Sequence, residues 1–374
     1  QGQYYQPKFV SGNDTTIVEG YVTDIITDKA IQFVADRDSE KPFCLLYHHK
    51  APHRNWMPNV KDLKLFNDGD LPIPDTFFDT YENRPAAEAA DMRVAAMYLS
   101  TDMKLHKEFY GTETGTGGNK AYDVEGAWEA TYKRLTPEQK KIWDAHYDSI
   151  NTNYKNARLK GDALSKWKLQ RYLKDYLRCI RSVDDNIGRL LNYLDDNNLS
   201  ENTIIVYTSD QGFYLGEHGW YDKRFMYEES LRTPLMIRYP KEVARNSVTE
   251  KLVQNIDYAP TFLDFAGVEI PEDMQGESLR EILSGKETGH WRNSIYYHYY
   301  EYPRGWHFVK KHYGVRTDRY KLIHFYDDID TWELYDLKND PQELHNLYDT
   351  PSYKTIQKEL HQELLKLRNT YGDI

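Results

Sequence analysis

The chain has 374 residues, of which 40% are hydrophobic and 29% charged, the make-up of a folded chain and not of a disordered one. With 48 Lys and Arg against 59 Asp and Glu, the net charge is -11, which argues against a nucleic-acid partner, whose footprint is normally basic. No apolar run approaches the length of a membrane span. Two cysteines, Cys44 and Cys179, exclude a disulfide framework; both are expected to be buried as small apolar residues. The length suffices for one large domain and a smaller one.

The opening "QGQYYQPKF" carries no initiator methionine and no helix or strand signal, and reads as the start of a cut piece of a longer polypeptide. Residues 20–35 place apolar side chains at helical spacing. "KPFCLLY" is expected to be a buried strand, with the chain broken at Pro52. Residues 58–85, rich in Pro, Asp and Asn, read as a loop, and 137–160 as a polar helix; together they make a loop and helical excursion over about 58–160. The clearest helix is 166–195, with one stripe of Leu169, Leu173, Tyr176, Leu177, Ile180, Val183, Ile187, Leu190, Leu191 and Leu194. "NTIIVYT" and "TPLMIRYP" read as buried strands, and 255–266 as a further helix. This alternation implies an α/β fold over 1–285: a mixed, mostly parallel sheet with helices on both faces. From 286 to 374 the chain turns Tyr-rich and alternating, which predicts a small antiparallel sheet followed by a helix at 351–370.

Ligands of open α/β sheets bind beyond the carboxyl ends of the strands. Asp210 and Gln211 stand at such a point, after "TIIVYT". A carboxylate and an amide oxygen there suit calcium, or magnesium; taken alone, the pair better suits an Asp-led turn or helix cap, with Gly212 supplying the turn. His218 and Lys223 follow in the same loop and can donate to an anion. A second strand end, "HHKAPH", brings His48, His49, Lys50 and His53. A metal beside a cationic anion site would stabilise charge developing in a transfer reaction. In "GWHFVKKHYGVR", Trp306 offers a face for a sugar, and His312 and Arg316 offer donors. Arg316 also fits the packing of the small sheet, while Trp306 and His312 fall on a loop-like segment.

"YTSDQGFYLGEHGWYDKRFMYEESLRTPLMIRYP" resembles a segment of the type I sulfatases, formylglycine-dependent members of the alkaline phosphatase superfamily. "KPFCLLYHHKAPHRNWMP", "RCIRSVDDNIGRLL", "NIDYAPTFLDFAG" and "HYGVRTDRYKLI" extend the likeness over nearly the whole chain. The wording is most similar to bacterial N-acetylglucosamine-6-sulfatases of glycosaminoglycans or mucins. The resemblance implies a calcium site with Asp210 as one carboxylate and Gln211 in place of the family's Asn or His. It implies that Lys223 bridges sulfate and the catalytic residue, that His53 protonates the leaving oxygen, and that His218 lies close by. It further implies a sulfated carbohydrate substrate and a periplasmic, cell-surface or secreted parent. The family's nucleophile motif, C-x-P-S-R or C-x-A-x-R, does not occur: Cys44 leads "CLLYH" and Cys179 leads "CIRSV". The family's first pair of metal aspartates is likewise not found. Roughly the first third of a sulfatase is therefore expected to be missing, with weak metal affinity, exposed strand edges and no turnover by this chain alone. The competing expectations are a phosphodiesterase or phosphatase of the same superfamily, and a non-catalytic glycan-binding remnant.

Overall fold

The computed structural model describes residues 2–111, 123–286, 289–304 and 306–373. Among the described residues the strands are β1 (Lys8–Ser11), β2 (Asp14–Ile17), β3 (Ile205–Thr208), β4 (Tyr214–Leu215), β5 (Tyr221–Asp222), β6 (Leu235–Arg238), β7 (Ser294–Tyr299), β8 (His312–Thr317), β9 (Tyr320–Phe325) and β10 (Thr331–Asp336). The helices are α1 (Val22–Asp36), α2 (Pro85–Ala89), α3 (Lys107–Tyr110), α4 (Val124–Tyr132), α5 (Pro137–Ala157), α6 (Gly161–Asp196), α7 (Glu228–Leu231), α8 (Tyr258–Phe265), α9 (Arg280–Leu283) and α10 (Lys354–Thr370). Two compact units form: residues 1–74 with 93–199, and residues 75–92 with 200–374.

In the first unit α6 is the axis, and α1 packs along it. The expected apolar stripe is only part of what α6 buries. Leu169, Leu173, Val183 and Leu194 are buried, and so are Lys168, Arg171, Asp175, Arg178, Ser182 and Asn186. Their polar atoms are taken up by neighbouring loops: Lys168 donates to the carbonyls of Ala95 and Met97, and Arg171 to that of Met103. Buried charge is tolerated only when paired. Asp175, wholly buried, accepts from Lys104 at 2.8 Å, Tyr147 at 2.7 Å and Arg178 at 2.8 Å. Burial pushes its carboxyl upward, but the Lys104, Arg171 and Arg178 cations win and hold it well below the carboxylate range. Helix α5 starts on a capping box at Thr136 with Pro137 at its first position.

The segment 41–47 is not a strand. It has no ladder partner among the described residues, and exposure alternates along it, with Leu46 69% exposed. Cys44 is exposed, against expectation, while Cys179 is buried. A strand needs a neighbour to satisfy its amides, which hydrophobicity in one segment cannot supply.

In the second unit β3 pairs with β6 antiparallel, Val206 opposite Ile237. The parallel pairing expected from the helix–strand alternation does not occur among the described residues: all four sheets are antiparallel. β3 is half-buried and β6 alternates, so neither is the fully buried strand expected. The C-terminal sheet, in contrast, is as anticipated: four antiparallel strands in the order β10-β9-β8-β7. Side chains alternate across it. Val315, Leu322 and Leu334 face Leu360, Leu364 and Leu367 of α10. Ile323, Phe325 and Tyr335 face the other way, onto Trp220, Phe225, Met226 and Tyr227. The mixed α/β fold thus carries a sheet covered on one side by a helix and on the other by a loop.

Asp175→Asn leaves three buried donors facing a neutral amide. It is expected to cost about 3–5 kcal/mol, read as a lowered urea midpoint of the first unit.

Candidate active site

Beyond Thr208, the end of β3, the chain turns through Ser209, Asp210 and Gln211. Gly212 donates its N–H to the Ser230 carbonyl at 2.9 Å. A Cβ there would sit 2.1 Å from the Glu229 carbonyl oxygen, so only glycine permits the approach. β4 and β5 then form a tight hairpin, Tyr214 opposite Asp222 and Leu215 opposite Tyr221. Its tip is pinned from below: Tyr81 donates to the His218 carbonyl at 2.6 Å, and the His218 N–H to Thr76 Oγ1 at 3.1 Å. Gly219, at φ +69, would drive a Cβ to 2.7 Å from the Phe77 carbonyl.

His218 is wholly buried. Its Nδ1 stands 2.8 Å from Asp79, itself gripped by Arg84 at 2.5 Å. Nε2 lies 3.8 Å from Glu229. Burial lowers the imidazole's pKa against the pull of Asp79. Burial, with the charges of Glu343 and Glu217, pushes the Glu229 carboxyl up to about 7.

Lys223 follows β5, half-buried, its Nζ 3.5 Å from Asp222 Oδ1 and 5.8 Å above the Phe213 ring. Its neighbours Asp222 and Arg224 have φ of 77° and 111°, costly for residues with a Cβ. Burial would raise the Asp222 carboxyl, but the His307 hydrogen bond and the charges of Arg224 and Lys223 hold it far below the carboxylate range. Arg224 Nη1 lies 2.8 Å from Asp222 Oδ2.

The other anticipated residues are placed differently. Arg316 lies in β8 and pairs with Glu228 at 3.1 Å. His312 opens β8 and is wholly buried, stacked on Phe225, Tyr297 and Tyr299; its Nδ1 donates to the Lys310 carbonyl at 2.7 Å. Burial lowers its pKa to about 4. It therefore stands in a strand and not on a loop-like segment, as the core of the sheet claims it. The Trp306 side chain lies outside the described residues. His53 belongs to the first unit. Its Nδ1 donates to the Arg54 carbonyl at 2.8 Å, and the His53 carbonyl accepts from the Tyr4 hydroxyl at 2.6 Å. Nδ1–H bonding to a carbonyl makes Nε2 the proton-accepting atom of the neutral ring. Asp222, Arg224, Asp79, Glu229 and His307 were not singled out from sequence; the charge triplet "DKR" was the available signal for the first two.

Asp210 is exposed and Gln211 half-buried. Among the described residues no group of three or more His, Cys, Asp or Glu is placed to hold a metal ion. Calcium takes six to eight oxygens, so Asp210 and Gln211 do not by themselves make a calcium site.

The family model described as "Sulfatase" matches residues 1–268, and the one described as "N-sulphoglucosamine sulphohydrolase, C-terminal" matches residues 216–370. The chain belongs to the sulfatase family. Within this family, of the alkaline phosphatase superfamily, it is 50% identical over 379 residues to an N-acetylglucosamine-6-O-sulfatase of Bacteroides thetaiotaomicron, covering 100% of this chain and 66% of that protein. It is 31% identical over 206 residues to an arylsulfatase of Clostridium perfringens, covering 54% of this chain and 41% of that one. Among solved structures, BT4656 in complex with its substrate D-glucosamine-2-N,6-O-disulfate superposes with a TM-score of 0.92 at 49% identity, covering 100% of this chain and 74% of that one. A phosphonate monoester hydrolase of Silicibacter pomeroyi shares the fold at a TM-score of 0.62 and 21% identity, covering 93% of this chain and 60% of that one. The chain thus spans just under two thirds of the length of the glucosamine sulfatase it matches. Sulfatases typically bind calcium.

A Glu whose folded-state pKa is raised to about 7 binds its proton more tightly folded than unfolded. Its contribution to stability is present below about pH 4.3 and is lost as pH rises toward 7. Glu229→Gln should therefore be more stable than the parent at pH 8, with the gap closing toward pH 5, as read by thermal melts at both values.

Proposed function

We propose that this sulfatase acts on sulfate esters of glucosamine-containing glycans, with 6-O-sulfated N-acetylglucosamine of a glycosaminoglycan or mucin as the substrate. The observation that carries the reading is the 50% identity to an N-acetylglucosamine-6-O-sulfatase over the whole chain. The phosphonate monoester hydrolase likeness extends to the fold alone.

In this reading Lys223 receives the sulfate. It follows a hairpin whose tip is pinned by Tyr81 and Thr76, and its side chain is half-buried; a fixed donor in a partly desolvated place holds an anion better than a mobile one. His53, with Nε2 as its accepting nitrogen when neutral, carries the proton that the departing sugar oxygen needs. No step is assigned to a metal, since Asp210 and Gln211 do not complete a site.

Hydrolysis through a formylglycine hydrate needs a modifiable cysteine as nucleophile, and neither Cys44 nor Cys179 stands in C-x-P-S-R or C-x-A-x-R. Residues 1–374 alone are therefore expected to bind and not to turn over. With 4-methylumbelliferyl sulfate and N-acetylglucosamine-6-sulfate as substrates, hydrolysis should not exceed that of Lys223→Ala. N-acetylglucosamine-6-sulfate should shift the NMR signals of the 210–224 loop, where N-acetylglucosamine does not. Lys223→Ala should weaken that binding about tenfold to a hundredfold, the worth of a charge-assisted hydrogen bond. Equal responses to the two sugars would overturn the sulfate reading, and turnover above the Lys223→Ala control would overturn the claim of inactivity.

A further inference from the structure

His307 is wholly buried and held at φ 72°. Its two ring nitrogens both face acceptors. Nδ1 stands 2.7 Å from the Asp91 carbonyl, and Nε2 stands 2.8 Å from Asp222 Oδ2. A carbonyl and a carboxylate can only accept, so both bonds are made when both nitrogens carry a proton. The Tyr221 ring packs edge-on at 5.2 Å and closes the site. Arg224 Nη1 also lies 2.8 Å from Oδ2, as an ion pair without hydrogen-bond geometry. The other oxygen, Oδ1, is buried, makes no hydrogen bond and lies 3.5 Å from Lys223 Nζ.

The carboxylate is thus clamped through one oxygen, and its distance to Lys223 is set by that clamp. Unclamped, it could rotate and close on the ammonium to ordinary hydrogen-bond length, about 2.7–2.9 Å. A lysine held that way is spent on its neighbour. A lysine kept at 3.5 Å is oriented by the carboxylate and still has its donors to give.

We propose that His307 is a positioning residue for Lys223: by clamping Asp222 Oδ2 it keeps the Lys223 ammonium oriented but available to an anion. This rests on the reading of Lys223 as the sulfate-holding cation. It goes beyond that reading in assigning the availability of the lysine to a buried histidine some 84 residues further along the chain (307 against 223).

The test is competitive trace acylation of the intact 374-residue chain. The Lys223 peptide is quantified by mass spectrometry relative to exposed Lys366 of the same unit, with circular dichroism as the fold control. An amine engaged by a carboxylate reacts more slowly, so His307→Ala should slow Lys223 labelling roughly fivefold, the upper range of an exposed ion pair. His307→Gln, which restores one donor to Asp222, should recover most of the rate. Asp222→Asn should label faster than the parent, and adding His307→Ala to it should change nothing further. A merely structural histidine would not show this dependence on Asp222. Unchanged labelling in folded His307→Ala overturns the proposal. If His307→Ala does not fold, an unchanged rate in Asp222→Asn overturns it instead. Protection of Lys223 by inorganic sulfate is a separate arm: its failure counts against the sulfate reading and leaves the His307 dependence to be judged by the variants.

Discussion

The second unit depends on one packing contact, that of the C-terminal sheet against residues 220–227. Trp220, Phe225, Met226 and Tyr227 are all fully buried against Ile323, Phe325 and Tyr335. Large aromatic side chains dominate such contacts because each removes so much apolar area from water. The anchors bracket Asp222, Lys223 and Arg224, three charged residues that have no place in an apolar core. The sheet therefore fixes the two ends of a short charged segment whose middle must find its own partners.

Asp222 finds His307, Lys223 and Arg224, and around this segment runs a separate set of ion pairs and hydrogen bonds. Arg316 and Lys321 meet Glu228, and Lys321 meets Glu343 at 2.7 Å. Arg84 reaches the Glu343 carbonyl and Asp79, which in turn meets His218. Buried pairs of this kind give little net stability, but losing one member is costly because the other is left alone in a poor solvent. Their effect here is positional. They tie the hairpin tip, α7 and the sheet together, so the charged side chains of the loop have few alternative arrangements. The positive φ values at Asp222 and Arg224 show that local backbone preference yields to this surrounding structure.

Much of the fold was legible from local pattern. Helices α1, α5, α6, α8 and α10 and the four-stranded C-terminal sheet correspond to runs whose periodicity needs no distant partner to read. Sheet pairing was less legible. "NTIIVYT" and "TPLMIRYP" are apolar enough for a parallel sheet, yet β3 and β6 pair antiparallel, and "KPFCLLY" joins no strand ladder among the described residues. The apolar stripe of α6 does not announce that Arg171, Asp175 and Arg178 are buried as well, because the loops that receive them are distant in sequence. For the candidate site, Lys223, His218 and Asp210 stood out as polar groups crowded after a strand. His312 looked like a donor for a sugar and is instead a core ring of the sheet.

By itself the sequence determined the helices, the Tyr-rich terminal sheet and the sulfatase resemblance, because periodicity and residue spacing are local and survive without coordinates. Only the tertiary structure decided which charges are buried together. His307 and Asp222 are 85 residues apart, and no local pattern announces that one ring will bond both a carbonyl and that carboxylate. The cost of burying an unpaired charge depends on what the rest of the chain brings to it. For that reason the setting of Lys223, unlike its presence, had to be read from the fold.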